Sequence, residues 1–101
     1  MVLLVCFDLP RRTKEQRAQA TKYRKRLTHL GFFMKQYSVY EREIRKIATK
    51  NKIVGILKEE LPTKGEITLY VLPDNVNDQQ ITILGTKKFK KTIRKAHFVV
   101  L

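Results

Sequence analysis

The chain is poor in the residues that build covalently stapled or metal-stabilised folds. It has one cysteine, Cys6, and no tryptophan among 101 residues. A single thiol excludes an internal disulfide and a thiolate zinc site, so a reducing, cytoplasmic compartment is expected. Cys6 lies inside an apolar run and is expected to pack as a small hydrophobic residue. His29 and His97 have no companion ligand at metal-binding spacing, and each is expected to be structural or exposed.

Glycine and long hydrophobic runs are also scarce. Four glycines are too few for a phosphate-cradling loop, which leaves nucleoside-triphosphate chemistry without support. The opening MVLLVCFDLP has neither a basic leader nor room for a signal-peptide core. No apolar stretch approaches the about 20 residues of a membrane span. The sequence therefore predicts no membrane partner.

Acidic residues are scarce as well, and this is the strongest compositional signal. Nine Asp and Glu face 22 Lys and Arg, which gives a formal net charge of +13 and an isoelectric point near 10.2. Self-repulsion on this scale opposes compaction, so a polyanionic partner is expected. A solvated helix face with a basic tail is the alternative, but such surfaces usually interleave both signs.

The basic residues cluster in two segments, one after the first apolar run and one after Gly85. This clustering favours nucleic acid as the partner, bound mainly through phosphates with an affinity that falls steeply with salt. The candidate nucleic-acid contacts are Arg11, Arg12, Lys14 and Arg17 in the first segment and Lys87, Lys88, Lys90 and Lys91 in the second.

The length predicts one folded domain, and hydrophobic patterning predicts its first elements. Val2 to Phe7 is an unbroken apolar run, typical of a central strand buried on both faces. Thr13 and Gln16 form a capping-box pattern that predicts the start of a helix. The core face and glycine stop of this helix are assigned to Ala20, Tyr23, Leu27, Leu30 and Gly31.

The middle of the chain predicts a strand pair and a second helix. Phe32 to Glu43 is rich in aromatic and β-branched residues and is expected to be extended, with a bend near Tyr37 and Ser38 that makes two short strands. Apolar residues then recur at helical spacing, and Pro62 and Gly65 are predicted to end this second helix. The helical positions are Ile44, Ile47, Ala48, Val54, Leu57 and Leu61.

Two further strands are predicted, Glu66 to Leu72 and the shorter Gln80 to Leu84. The resulting order predicts an α+β, ferredoxin-like (βαββαβ) antiparallel sheet with two helices on one face. Residues 1–85 are assigned to this domain and residues 86–101 to a basic C-terminal segment with a terminal strand. That strand has two possible places, an edge of its own sheet or an edge of a second copy's sheet.

Asp8 is the carboxylate at the end of the predicted central strand, where loops carry function on a rigid scaffold. A Mg²⁺ site commonly uses one or two carboxylates with water and substrate phosphate oxygens. Asp8 supplies one carboxylate, and the Asp8 of a second copy of the chain, related by a two-fold axis, would supply the other. On spacing alone, a turn or capping aspartate before Pro10 is the favoured interpretation.

The aromatic residues Phe32, Phe33, Tyr37 and Tyr40 raise a second functional hypothesis, a ferredoxin-like RNA-binding protein whose exposed rings stack on bases. The run of basic residue, glycine and paired aromatics typical of such sheets is not present in the sequence. Core packing is therefore expected for most of these rings.

The sequence resembles a known family in five motifs: VCFDLP, the helix end LxxLGF, the block QYSVYER, the turn ELPxxG and the strand EITLYVL. Together they are similar to the Cas2 family, the small CRISPR-associated proteins of spacer acquisition, in the form found in type II CRISPR systems. The resemblance runs from Met1 to about Gly85.

The resemblance implies a homodimer in which each C-terminal strand lies against the partner's sheet. It implies a scaffold that bridges two CRISPR integrase dimers in a heterohexameric complex and holds duplex DNA for insertion into the repeat array. It further implies a nuclease that cuts RNA, including single-stranded RNA, or DNA with Mg²⁺ or Mn²⁺. The resemblance also raises Asp8 from capping residue to catalytic residue and metal ligand. Phe7, Ser38 and Tyr40 are motif neighbours of that aspartate.

Overall fold

A computed structural model describes residues 1–85, which form a four-stranded antiparallel sheet in the order β2-β3-β1-β4. This order, with the helices on one face, is the ferredoxin-like α+β fold that the sequence predicts. The elements are β1 (Val2–Asp8), α1 (Lys14–His29), β2 (Phe33–Gln36), β3 (Val39–Glu43), α2 (Ile47–Leu57), β4 (Glu66–Leu72) and the single helical turn α3 (Asp74–Asn77).

The central position of β1 is confirmed, because it pairs with β3 on one side and β4 on the other. Alternate side chains of a strand point to opposite faces. Leu3, Val5 and Phe7 are buried beneath the helices, whereas Leu4 and Cys6 on the helix-free face are only partly buried. The expectation that β1 is buried on both faces is therefore confirmed for the helix side and only partly correct for the helix-free face.

Helix α1 begins and ends as its sequence predicts. Thr13 Oγ1 accepts from the Gln16 N–H at 3.0 Å, and Gln16 Oε1 accepts from the Thr13 N–H at 3.1 Å, which completes the capping box. At the other end, the N–H groups of Gly31 and Phe32 return to the carbonyls of Thr28 and Leu27. This Schellman pattern needs the φ of +85° that Gly31 adopts.

One core joins both helices to the sheet. Tyr23 and Leu27 of α1 and Ile53 and Leu57 of α2 pack with the inward side chains of β1. Phe32 and Tyr40 are buried in the same cluster, as predicted, while Phe33 and Tyr37 are exposed. The expectation that these rings pack in the core is thus correct for half of them.

The second helix is shorter than its apolar spacing predicts. It begins after Ile44, which is buried at the end of the hairpin, and it ends before Leu61, which is exposed. Pro62 disfavours the helical conformation at Leu61, so the helix cannot continue into the proline. Ile47 and Ala48 also lie outside the core, which α2 enters through Ile53 and Leu57.

The strand predicted at Gln80 to Leu84 is wrong. This segment has no strand pairing within residues 1–85, and Ile83 and Leu84 are each 94% exposed. A strand needs a neighbour for its backbone groups, and β1 to β4 offer none to this segment. The terminal strand, the basic C-terminal segment and His97 lie outside the described residues.

Candidate metal and nucleic-acid site

Asp8 is exposed at the end of β1, directly opposite Glu66, the first residue of β4. Its neighbour in space is Gly65, where an added Cβ would lie 2.5 Å from the Asp8 carbonyl oxygen. No hydrogen bond or ion pair to the Asp8 carboxylate is found within residues 1–85. Asp8 therefore does not act as a helix or turn cap in this part of the chain.

Asp8 and Glu66 together fit a divalent cation of the hard, oxygen-seeking kind. Side chains of directly opposed strand residues have Cβ atoms about 4.5–5.5 Å apart and share one face of the sheet. One or two carboxylates are the usual protein contribution to a Mg²⁺ site, completed by water and substrate phosphate. No group of three potential ligands occurs among the described residues, so the remaining ligands would have to come from elsewhere.

An exposed aromatic ring lies against two arginines beside this strand end. The ring of Tyr37, in the turn between β2 and β3, has the Arg24 guanidinium carbon 4.0 Å and the Arg11 guanidinium carbon 5.1 Å from its centroid. Arg24 Nε also donates to the Tyr37 carbonyl at 3.3 Å, and Arg11 Nη1 donates to the phenol oxygen at 2.5 Å. The hydrogen bond from Arg11 lowers the pKa of the Tyr37 phenol, assisted by the two positive charges.

Arg17 has a positioning contact in this structure. Its Nη1 donates to the carbonyls of Arg11 and Arg12 at 3.1 and 3.2 Å, which fixes the loop between β1 and α1. The Arg12 N–H donates to Gln16 Oε1 at 3.0 Å, so the capping box holds the same loop. The side chains of Arg12 and Lys14 are exposed, and both are available to solvent.

The motif neighbours of Asp8 lie in or beside the core. The Phe7 ring stacks on Tyr40 at 5.8 Å and meets Tyr23 edge-on at 6.2 Å. The Phe7 N–H donates to the Ser38 carbonyl at 3.0 Å. The rings of Phe7 and Tyr40 are buried, so these residues anchor the strand end that carries Asp8. Lys87, Lys88, Lys90 and Lys91 lie outside the described residues.

The sequence did not single out Glu66 or Arg24 as site residues, and it named Tyr37 only among the aromatic residues of the RNA-stacking hypothesis. In the sequence, Glu66 is predicted only as the first residue of a strand, and the register of β4 on β1 brings it opposite Asp8. Arg24 and Tyr37 are 13 residues apart and belong to separate patterns, a basic helix and an aromatic block. Their contact depends on how α1 lies over the β2–β3 turn, which no local pattern encodes.

The helices of residues 1–85 are too short or too polar for any of them to span a membrane.

Residues 1–80 match the family model described as CRISPR associated protein Cas2. A relative from Ligilactobacillus salivarius named CRISPR-associated endoribonuclease Cas2 is 33% identical over all of this chain and 99% of its own length. One of the same name from Streptococcus mutans serotype c (strain UA159) is 33% identical over 86% of this chain and 80% of its own.

The chain is also similar to a more distant relative and to a solved structure. A Campylobacter jejuni protein of the same name is 29% identical over 92% of this chain, and the match spans 65% of that protein's length. The crystal structure of Streptococcus pyogenes Cas2 at pH 6.5 superposes with a TM-score of 0.67, at 24% identity, over 84% of this chain and all of that one. The second similarity shows the fold. The family match over residues 1–80, together with the full-length relative, shows that this chain belongs to the Cas2 family.

Proposed function

We propose that this chain is a CRISPR adaptation protein: a homodimeric, duplex-DNA-binding scaffold of the integrase complex that carries a metal-dependent nuclease site at Asp8. The observation that carries the proposal is the exposed Asp8–Glu66 carboxylate pair beside a loop and helix rich in arginine. Carboxylates attract a divalent cation, and arginines attract the phosphates whose ester bond such a cation activates. Relatives named endoribonuclease support RNA as one substrate.

In the nuclease role, each group has a separate task. Asp8 and Glu66 would hold Mg²⁺ or Mn²⁺ at the end of the sheet. The cation, when bound, supplies Lewis-acid polarisation of a phosphodiester. Arg11 and Arg12 lie in the adjoining loop and bind the nucleic-acid backbone, while Arg17 keeps that loop in place through its carbonyl groups.

The scaffold role needs a dimer, and the helix-free face of the sheet is suited to form one. Tyr70 of β4 pairs across from Leu4 of β1, and both lie on this face. Tyr70 is 50% exposed and Phe33, on the same face at the β2 edge, is 56% exposed. We further propose that residues 1–85 form the folded domain and that residues 86–101 supply a basic segment whose terminal strand lies against the partner's sheet.

A ferredoxin-like RNA-binding protein without nuclease activity is the second candidate. The same exposed rings, Phe33 and Tyr70, favour it, because a helix-free sheet face with aromatic side chains can stack on the bases of single-stranded RNA. Under this alternative the face stays open to RNA, and association with an integrase is not expected.

Substitution of Asp8 separates the nuclease role from the scaffold role. We expect Asp8→Asn to reduce Mg²⁺-dependent cleavage of RNA and DNA by at least about 100-fold, the scale of losing a catalytic group, and to leave duplex binding unchanged. Cleavage assays with and without EDTA measure the first effect. Cleavage that survives the substitution would place the activity elsewhere.

A spacer-acquisition assay in cells carrying a CRISPR locus tests the scaffold. Charge reversal at Arg11, Arg12 and Arg17 is expected to impair acquisition, whereas Asp8→Asn is expected to leave it intact. Co-purification of the chain with the integrase separates both roles from the RNA-binding alternative. Acquisition that depends on Asp8 and ignores the three arginines would contradict the scaffold proposal.

A further inference from the structure

Two positive charges lie against the Tyr37 ring, and neither has an acidic partner within residues 1–85. Arg11 and Arg24 both lie within 5.1 Å of its centroid. Elsewhere on α1, Lys22 and Arg26 do form ion pairs, both with Glu60. Two neighbouring guanidinium groups repel each other, and the ring and its oxygens offset only part of that repulsion. The arrangement therefore favours an added anion.

The unused donors of these arginines match a phosphate. Arg24 uses Nε on the Tyr37 carbonyl, and Arg11 uses Nη1 on the phenol. For both Nη atoms of Arg24, and for Nε and Nη2 of Arg11, no acceptor is found in the described part of the chain. Planar guanidinium groups recognise phosphate oxygens through paired N–H donors, and they do so better than lysine.

The cluster lies at the same end of β1 as Asp8, but on the helix side, whereas the Asp8 side chain points to the helix-free face. Arg11 follows Asp8 by three residues, and the Arg24 guanidinium carbon lies 5.5 Å from the centroid of Phe7, the residue before Asp8. Phe7 is tied to the Tyr37 turn through its hydrogen bond to the Ser38 carbonyl. The strand end, the arginines and the tyrosine thus form one connected unit.

We propose that Tyr37 orients Arg11 and Arg24 as a subsite for one backbone phosphate of the bound nucleic acid, at the end of the sheet that carries Asp8 and on its helix side. The subsite rests on the proposed function, since it needs a nucleic acid on this face. Arg11 and Arg24 touch the phosphate, whereas Tyr37 is a positioning residue that acts through them. Because phosphates carry no base identity, the subsite contributes affinity and register without sequence preference.

Fluorescence anisotropy of the full-length chain with a labelled short DNA duplex, over a series of NaCl concentrations, tests the subsite. We expect Arg24→Gln to weaken binding about 10-fold and to reduce the slope of log affinity against log salt by about 1. Arg24→Lys keeps the charge but loses the planar fork, so it should restore the slope and only part of the affinity. The matched control is Lys25→Gln, an exposed cation one residue further along α1, which we expect to weaken binding no more than about 2-fold.

The decisive variant is Tyr37→Ala, which removes no charge. It should weaken binding at least about 3-fold, because both arginines lose their aromatic and hydrogen-bonding support. Tyr37→Phe keeps the ring and should fall between Tyr37→Ala and the unmodified chain. Circular dichroism and a urea titration confirm that each variant is folded. If Arg24→Gln unfolds because it lies on Phe7, Arg11→Gln, at an exposed position, is compared with Lys25→Gln by the same criterion.

The outcomes separate the two proposals. If Tyr37→Ala binds like the unmodified chain, or if the arginine variants are no weaker than Lys25→Gln, the subsite is wrong while the proposed function stands. If the unmodified chain shows no salt-dependent binding to duplex DNA or single-stranded RNA, the proposed function fails, and the subsite fails with it.

Discussion

At the scale of single residues, Gly65 allows the turn before β4 to pack closely against the backbone of Asp8. Its φ of +108° belongs to the region that favours glycine, and an added Cβ would lie 2.5 Å from the Asp8 carbonyl oxygen and 2.9 Å from the Leu9 side chain. The first of these contacts is with backbone, which cannot rotate away. Any larger residue must therefore move the end of β1, and the candidate metal ligand with it.

We accordingly expect Gly65→Ala to lower the free energy of unfolding by about 1–3 kcal/mol, the usual cost of a strained backbone conformation. Asp8-dependent cleavage should fall as well. Urea denaturation and the cleavage assay measure the two effects. Gly55→Ala is the matched control, because a Cβ there has no neighbour within 4 Å and lies inside α2, where alanine should stabilise by about 0.4–1 kcal/mol. Equal stability of Gly65→Ala and the unmodified chain would refute this reading of the turn.

At the scale of elements, α1 is tied to the connection between α2 and β4 through Glu60. The Glu60 carboxylate accepts from Arg26 at 2.6 Å and pairs with Lys22 at 3.1 Å. Arg26 also donates to the Ile56 carbonyl at 3.3 Å. The hydrogen bond from Lys22 and the charges of Arg26 and Lys22 lower the pKa of the Glu60 carboxyl. Helix α1 is thus linked to the end of α2 by a hydrogen bond and to the connection that follows α2 by two ion pairs.

This link makes stability depend on pH in a defined direction. Because the folded-state pKa of Glu60 lies below its unfolded value of about 4.3, the contribution is present above that value and is lost as the pH falls through the folded-state pKa. Glu60→Gln should therefore reduce the drop in unfolding free energy between about pH 6 and about pH 3. Urea titrations at both pH values measure it, with Glu59→Gln as the neighbouring control, for which no ion pair is found in residues 1–85. An unchanged drop in Glu60→Gln would show that the link does not contribute.

At the scale of the whole molecule, local signals predict the elements, and long-range register determines the site. The capping box at Thr13 and Gln16, the glycine stop at Gly31 and the apolar run of β1 each act within a few residues, so the sequence predicts them correctly. The pairing of Asp8 with Glu66 arises from strands far apart in the chain, and no local pattern contains it. The strand predicted at Gln80 to Leu84 is wrong for a related reason, because an alternating pattern does not by itself supply a neighbouring strand for pairing.

Two neighbouring residues of β4 can show which face of the sheet forms the proposed dimer interface. Tyr70 and Val71 are adjacent in β4 and similarly exposed, at 50% and 42%. Tyr70 pairs with Leu4 on the helix-free face, and Val71 pairs with Leu3 on the helix side. If the helix-free face forms the proposed dimer interface, Tyr70→Glu places a charge inside it, and an unpaired buried charge is strongly unfavourable.

We expect sedimentation equilibrium to show at least a roughly 10-fold weaker dimer for Tyr70→Glu, equivalent to about 1.4 kcal/mol. Val71→Glu, which adds the same charge to the same strand on the opposite face, should dimerise like the unmodified chain. Circular dichroism shows whether each variant keeps its fold. Equal weakening by both substitutions would indicate a general effect of charge on β4, and dimerisation unaffected by Tyr70→Glu would place the interface on another face of the sheet.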